Sequence, residues 1–200
     1  MALPESPTVE TLAAMLVLFL VQTVAGSAGA GSYLFALAPP LLDRPWTLVT
    51  NVYAHASLPH LLGNAVALAA IGLAVERTST RGRFHVFFVL TGSLSAAVQV
   101  LVDGLIGEPT AVLGASGAIF ALVGYAVTGN ALVHAALRRL RPDRTLLLVG
   151  GGFLVSAVVL LTAAPNAALV AHAVGFGAGL LAGRRRALHA SAGRRPAGRA

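Results

Sequence analysis

The charged side chains of this chain stand in short groups and leave long uncharged intervals between them, at 11–42, 45–75, 86–102, 109–137 and 145–183. A bilayer-spanning helix needs about 20 mostly apolar residues, and intervals of this kind fit such spans. Composition points the same way: 56% of the 200 residues are hydrophobic and 10% are charged, more apolar surface than a soluble core of this size can hide. Ala164-Pro165-Asn166 is a turn signal that divides the last interval in two. The reading is an all-α membrane protein with six transmembrane helices, at about 10–27, 58–76, 84–102, 115–132, 145–163 and 168–184.

The arginines orient it. Cytoplasmic loops are enriched in Arg and Lys, and 13 of the 14 basic residues follow the second, fourth or sixth helix: Arg77, Arg81 and Arg83; Arg138, Arg139, Arg141 and Arg144; and six from Arg184 onward. The opposite side carries Asp43, Arg44, Asp103 and Glu108. Both termini are therefore expected in the cytoplasm. Residues 1–185 are read as the transmembrane domain and 186–200 as a basic, disordered tail. The net charge of +7 is then an orientation signal, with the tail against anionic lipid headgroups rather than on nucleic acid. The run ending in Ala25-Gly26-Ser27-Ala28 could be read as a cleaved signal peptide, but Glu5 and Glu10 precede it with no basic residue, so an uncleaved first helix is preferred. With no cysteine, disulfides, thiol nucleophiles and Cys-ligated metals are excluded.

Ionisable and polar groups inside spans are costly enough to be functional candidates. The candidates are His60, Asn64, Ser116 and His172, with His55 just outside. Asn64 is twelve residues from Glu76, and His172 twelve from Arg184; Ser116 is twelve from Thr128 if its helix ends there. Twelve residues rise about 18 Å, which puts all three in one layer; continuing the fourth helix to Arg138 would instead lift Ser116 towards the outer interface. His60 and Asn64, four apart, share a helix face. Ser116 opens an apolar helix after Pro109, so its N–H is among the unpaired donors at a positive helix end, a setting that suits an oxyanion. Irregular backbone over 109–115 at this depth needs protein or a wet cavity around it. Gly175, Gly179 and Gly183 form a stripe of small residues on the sixth helix, answered by Gly117, Ala121 and Gly124 on the fourth. Such stripes let membrane helices approach closely, which would bring His172 towards Ser116.

Three motifs, His55-Ala56-Ser57-Leu58-Pro59-His60-Leu61-Leu62-Gly63-Asn64, Gly114-Ala115-Ser116-Gly117, and Ala171-His172 with its glycines, resemble those of the rhomboid family of intramembrane serine proteases. The resemblance covers about residues 40–185. It implies Ser116 as nucleophile and His172 as base and later acid, without an acidic third member. It further implies an oxyanion site formed by His60, Asn64 and the Ser116 N–H. Gly114, Gly117, Phe120, Gly175 and Gly179 would be supporting residues, with His55 and Glu76 in structural roles. Two departures from the family pattern stand out: Phe120 occupies a position that is often tyrosine, and Arg44-Pro45-Trp46 stands where many members have Trp followed by Arg.

Other classes fit less well. A lone membrane serine commonly bonds back to a carbonyl. Zinc on His55, His60 and His172 lacks the helical His-Glu-x-x-His spacing and any acid at that depth, so neither metal nor cofactor is expected. A transporter would typically show paired repeats. A catalytically inactive rhomboid-like protein that binds membrane clients is the alternative function, yet such relatives typically lack the serine or histidine. His85, His134 and His189 are assigned no chemistry. The expectation is an intramembrane serine endopeptidase of the cell membrane, acting on single-pass transmembrane proteins.

Overall fold

The computed structural model describes residues 6–27, 29, 31–129, 139 and 168–189. Among these, the chain is all-helical: α1 (Pro7–Ser27), α2 (Gly31–Phe35), α3 (Thr47–Thr50), α4 (Leu58–Glu76), α5 (Arg81–Leu105), α6 (Ser116–Gly129) and α7 (Leu169–Arg184). The expected span at 145–163 lies outside the described residues.

Local chemistry explains where the helices begin. Pro7 opens α1, where its missing N–H costs nothing, and Ser6 Oγ accepts from Val9 N at 3.2 Å. Glu76, at the end of α4, accepts from Ser6 Oγ at 2.8 Å and from Thr8 N at 3.0 Å. A carboxylate of one helix thus sits at the positive end of another and sets their register. Ser57 caps α4 by accepting from His60 N at 3.3 Å, and Thr80 caps α5 by accepting from Arg83 N at 3.4 Å.

Two helices are longer than their uncharged cores. α5 takes in Arg81, Arg83 and Asp103, and α1 takes in Glu10, because charged side chains near the ends of a span can reach the headgroups. Glu10 also binds Arg81 at 2.9 Å and His85 at 2.8 Å, joining α1 to α5.

α1, α4 and α5 are each long and apolar enough to cross a membrane, while α6 and α7 are shorter apolar helices. Leu58, Leu62, Val66 and Leu73 on α4, and Val86, Leu90, Leu94 and Leu101 on α5, are exposed at helical spacing. Stripes of this size need a covering, and bilayer lipid supplies it. The chain is a multi-pass membrane protein by these helices. α6 behaves oppositely: every residue from Gly117 to Ala126 is buried, as expected of a helix that is apolar on all sides. It packs against α4, α5 and, most extensively, α7.

The α6/α7 seam is a backbone contact. A methyl group at Gly175 would fall on the Gly117 carbonyl oxygen, and one at Gly179 on the Ala121 carbonyl oxygen. Thr128 Oγ1 adds a bond across the seam to Leu180 O at 3.0 Å.

Between α1 and α4 lie α2 and α3, which the charge pattern does not announce because turns of five and four residues are too short to show periodicity. This segment is held to the stretch before α6. Leu37 and Val112 exchange two backbone bonds of 2.9 and 2.8 Å, and Gly114 N donates to Asn51 O at 2.8 Å. Trp46 Nε1 donates to Leu34 O at 3.0 Å, and the Arg44 guanidinium lies 4.1 Å from the Tyr33 ring centre. At the other end, the chain turns after Arg184 and buries Leu188 in the main core. Leu188, expected in a disordered tail, is thus packed in the core, Arg186 and Ala187 stay exposed, and 190–200 lie outside the described residues.

Gly179→Ala should force α6 and α7 apart and lower stability by about 1–3 kcal/mol, read as a lower thermal midpoint in detergent. Gly177→Ala, on the same helix with nothing within 4 Å of a new methyl, should change stability by less than about 0.5 kcal/mol.

Candidate functional site

Ser116 is the first residue of α6, and His172 lies in the first turn of α7. The close seam between these helices brings their side chains together: His172 Nε2 and Ser116 Oγ are 2.9 Å apart. The serine hydroxyl can donate to Nε2 when the histidine proton is on Nδ1. Among the described residues His172 Nδ1 is buried without a protein partner, and no carboxylate backs the imidazole. Its ring is steadied instead by Phe120, one turn along α6 from Ser116, with ring centres 4.5 Å apart and planes 21° from parallel. The ring alone supplies this packing, so the phenylalanine needs no hydroxyl.

Gly114 turns the chain into α6. Its φ of +130° is one that side chains rarely adopt. A Cβ there would also come within 2.8 Å of His60 Cε1, so only glycine lets the His60 ring lie against this backbone. Asn64, fully buried on the same face of α4, donates from Nδ2 to His60 O at 2.9 Å. That bond uses one of two amide hydrogens, leaving the other for a ligand. Among the described residues His60 Nδ1 and Asn64 Oδ1 are both buried without a protein partner. His60, tied to Asn64 on the same face of α4, thus lies against the stretch that leads into Ser116.

His55 stands in the loop before α4, its ring 5.0 Å from that of His60 and edge-on to it. Burial, followed by the neighbouring His60, pushes its pKa down to about 3, which favours the neutral ring, and its Nδ1 lies 2.9 Å from Tyr53 O. Among the described residues no group of three or more His, Asp or Glu side chains is arranged to hold a metal ion. Gly117 meets the Ser95 side chain, while Gly175 and Gly179 meet the α6 backbone; all three shape the seam.

Two residues that the polar census of the sequence passes over also matter here. Gln22 on α1 clasps His55 through both backbone groups, donating to its carbonyl at 3.0 Å and accepting from its N–H at 3.2 Å. Gln99 on α5 is buried and accepts from Ala171 N, next to His172, at 2.9 Å. An uncharged amide inside an apolar span is the signal that marks both, since burying it unpaired is costly.

Comparison with known proteins matches this arrangement to a group. Residues 42–187 match the rhomboid domain, a stretch that contains α3 to α7 with His55, His60, Asn64, Ser116 and His172. Over 92 residues, 46% of this chain, it is 35% identical to rhomboid protease GluP of Bacillus subtilis (strain 168). Over 116 residues, 58% of the chain, it is 28% identical to rhomboid-related protein 1 of Caenorhabditis elegans. These matches span only 16% and 31% of the two relatives' own lengths. With the domain match covering well over half of its length, the chain belongs to the rhomboid family.

Proposed function

We propose that this chain is an intramembrane serine endopeptidase that hydrolyses peptide bonds in or near the transmembrane segments of membrane proteins. The observation that carries this reading is the 2.9 Å contact between Ser116 Oγ and His172 Nε2 at the N-terminal end of α6. In this mechanism His172 takes the hydroxyl proton as Ser116 attacks the scissile carbonyl. The developing oxyanion is held by the Ser116 N–H, by His60 and by the free amide hydrogen of Asn64, with the α6 dipole favouring the negative charge. His172 then protonates the leaving amine, and water, deprotonated in its turn by His172, hydrolyses the acyl-enzyme.

The topology that fits is a six-helix bundle with both termini in the cytoplasm, supported by the placement of 13 of 14 basic residues after the second, fourth and sixth spans. The substrates are single-pass transmembrane proteins, whose helix must unwind to offer a backbone carbonyl to a half-buried nucleophile at the start of α6. The cell membrane is the proposed location, and the tail from residue 190 onward is proposed to lie on anionic lipid. The name of the Bacillus relative, rhomboid protease GluP, supports the same reaction class.

Cleavage of a generic transmembrane substrate in liposomes tests the proposal. Ser116→Ala and His172→Ala should each lower kcat at least about 10³-fold. Asn64→Ala, which removes one oxyanion donor, should lower it about 10²-fold to 10³-fold. Wild-type rates in Ser116→Ala would refute the nucleophile assignment, and a wild-type chain that binds substrates without cleaving them would favour the inactive, client-binding alternative.

A further inference from the structure

α7, which carries His172, starts without a cap of its own. Ala168 holds the N-cap position and makes no side-chain hydrogen bond there, so the first amides of the helix need acceptors from elsewhere. The buried Ala171 N–H finds one in Gln99 Oε1 on α5, at 2.9 Å. Gln99 Nε2 in turn donates to Asp103 Oδ1 at 2.7 Å, a contact that the i, i+4 spacing on α5 favours. The other carboxylate oxygen accepts from Thr110 Oγ1, in the stretch leading to Ser116.

An amide group can face its neighbours either way round, but a carboxylate only accepts hydrogen bonds. Asp103 therefore selects one orientation: the Gln99 nitrogen faces the carboxylate, and the oxygen is left to face Ala171. Turned over, the amide would set oxygen against carboxylate and N–H against N–H. We propose that Asp103 is a positioning residue that orients Gln99 as an external cap for α7 and so holds the first turn, with His172, in place for Ser116. Thr110 holds the carboxylate from the loop side. The catalytic part of this inference rests on Ser116 and His172 being the reacting pair; the capping part does not.

Two readouts on the full chain in detergent test it: amide hydrogen exchange at Ala171, and steady-state cleavage of a transmembrane substrate. Asp103→Leu should speed exchange at Ala171 about ten-fold or more and lower kcat about ten-fold, with KM changed less than about two-fold. Asp103→Asn keeps an amide oxygen that can accept from Gln99, so it should keep both values within about three-fold of wild type. In a Gln99→Leu background, adding Asp103→Leu should change kcat less than about two-fold, because the carboxylate acts through the amide. Unchanged Ala171 exchange in Asp103→Leu overturns the inference. So does equal damage from Asp103→Asn, or additive loss in the double variant. A wild type with no cleavage that depends on Ser116 sinks the protease reading alone, and the exchange measurement then decides the cap by itself.

Discussion

Everything at the site depends on how closely the backbones of α6 and α7 approach. In a bilayer, apolar side chains gain little by leaving lipid for a neighbouring helix, so association relies on close packing and interhelical hydrogen bonds. Here Gly175 lies against the Gly117 carbonyl and Gly179 against that of Ala121. Ser116 is one residue from the first of these contacts, and His172 is one turn from it. Parting the helices by the thickness of a methyl group, about 1–2 Å, would take the 2.9 Å Ser116–His172 contact out of hydrogen-bonding range. The glycine stripe is thus part of the site's geometry, although none of its members carries chemistry.

The polar layer set in this frame is partly unsatisfied. Among the described residues His60 Nδ1, Asn64 Oδ1 and His172 Nδ1 are buried without protein partners, and such groups cost free energy. Neighbouring groups hold the backbone: Ser57 caps α4 through His60 N, and Asn64 Nδ2 gives one of its two hydrogens to His60 O. Backbone order around these residues is therefore secured, while their unpartnered polar atoms keep the capacity to bond water or a ligand, which the proposed hydrolysis would use. Gly114 serves the same division, since its φ of +130° brings the stretch before Ser116 against the His60 ring with no side chain between.

Much of this is legible in the sequence for physical reasons. α1, α4 and α5 stand out because charge inside hydrocarbon is expensive, and α4 runs from Leu58 to Glu76 as the uncharged interval and its flanking charge imply. The approach of Ser116 to His172 follows from the glycines at spacing four on α7 and the small residues Gly117, Ala121 and Gly124 that answer them on α6. α5 is harder to delimit, because Arg81 and Asp103 lie inside it and long or terminal charges can escape the membrane. α2 and α3 are too short to leave a pattern. The amide contacts of Gln22 and Gln99 depend on pairings across 33 and 72 residues, which no local spacing encodes.

The central claim is that α6 and α7 make Ser116 a nucleophile by delivering His172 to it. Labelling with a fluorophosphonate serine-hydrolase probe, followed by mass spectrometry of the modified peptide, tests this most directly. The account predicts a single adduct on Ser116 whose formation is lost in His172→Ala. An adduct on another serine, or undiminished labelling of Ser116 without His172, would contradict it.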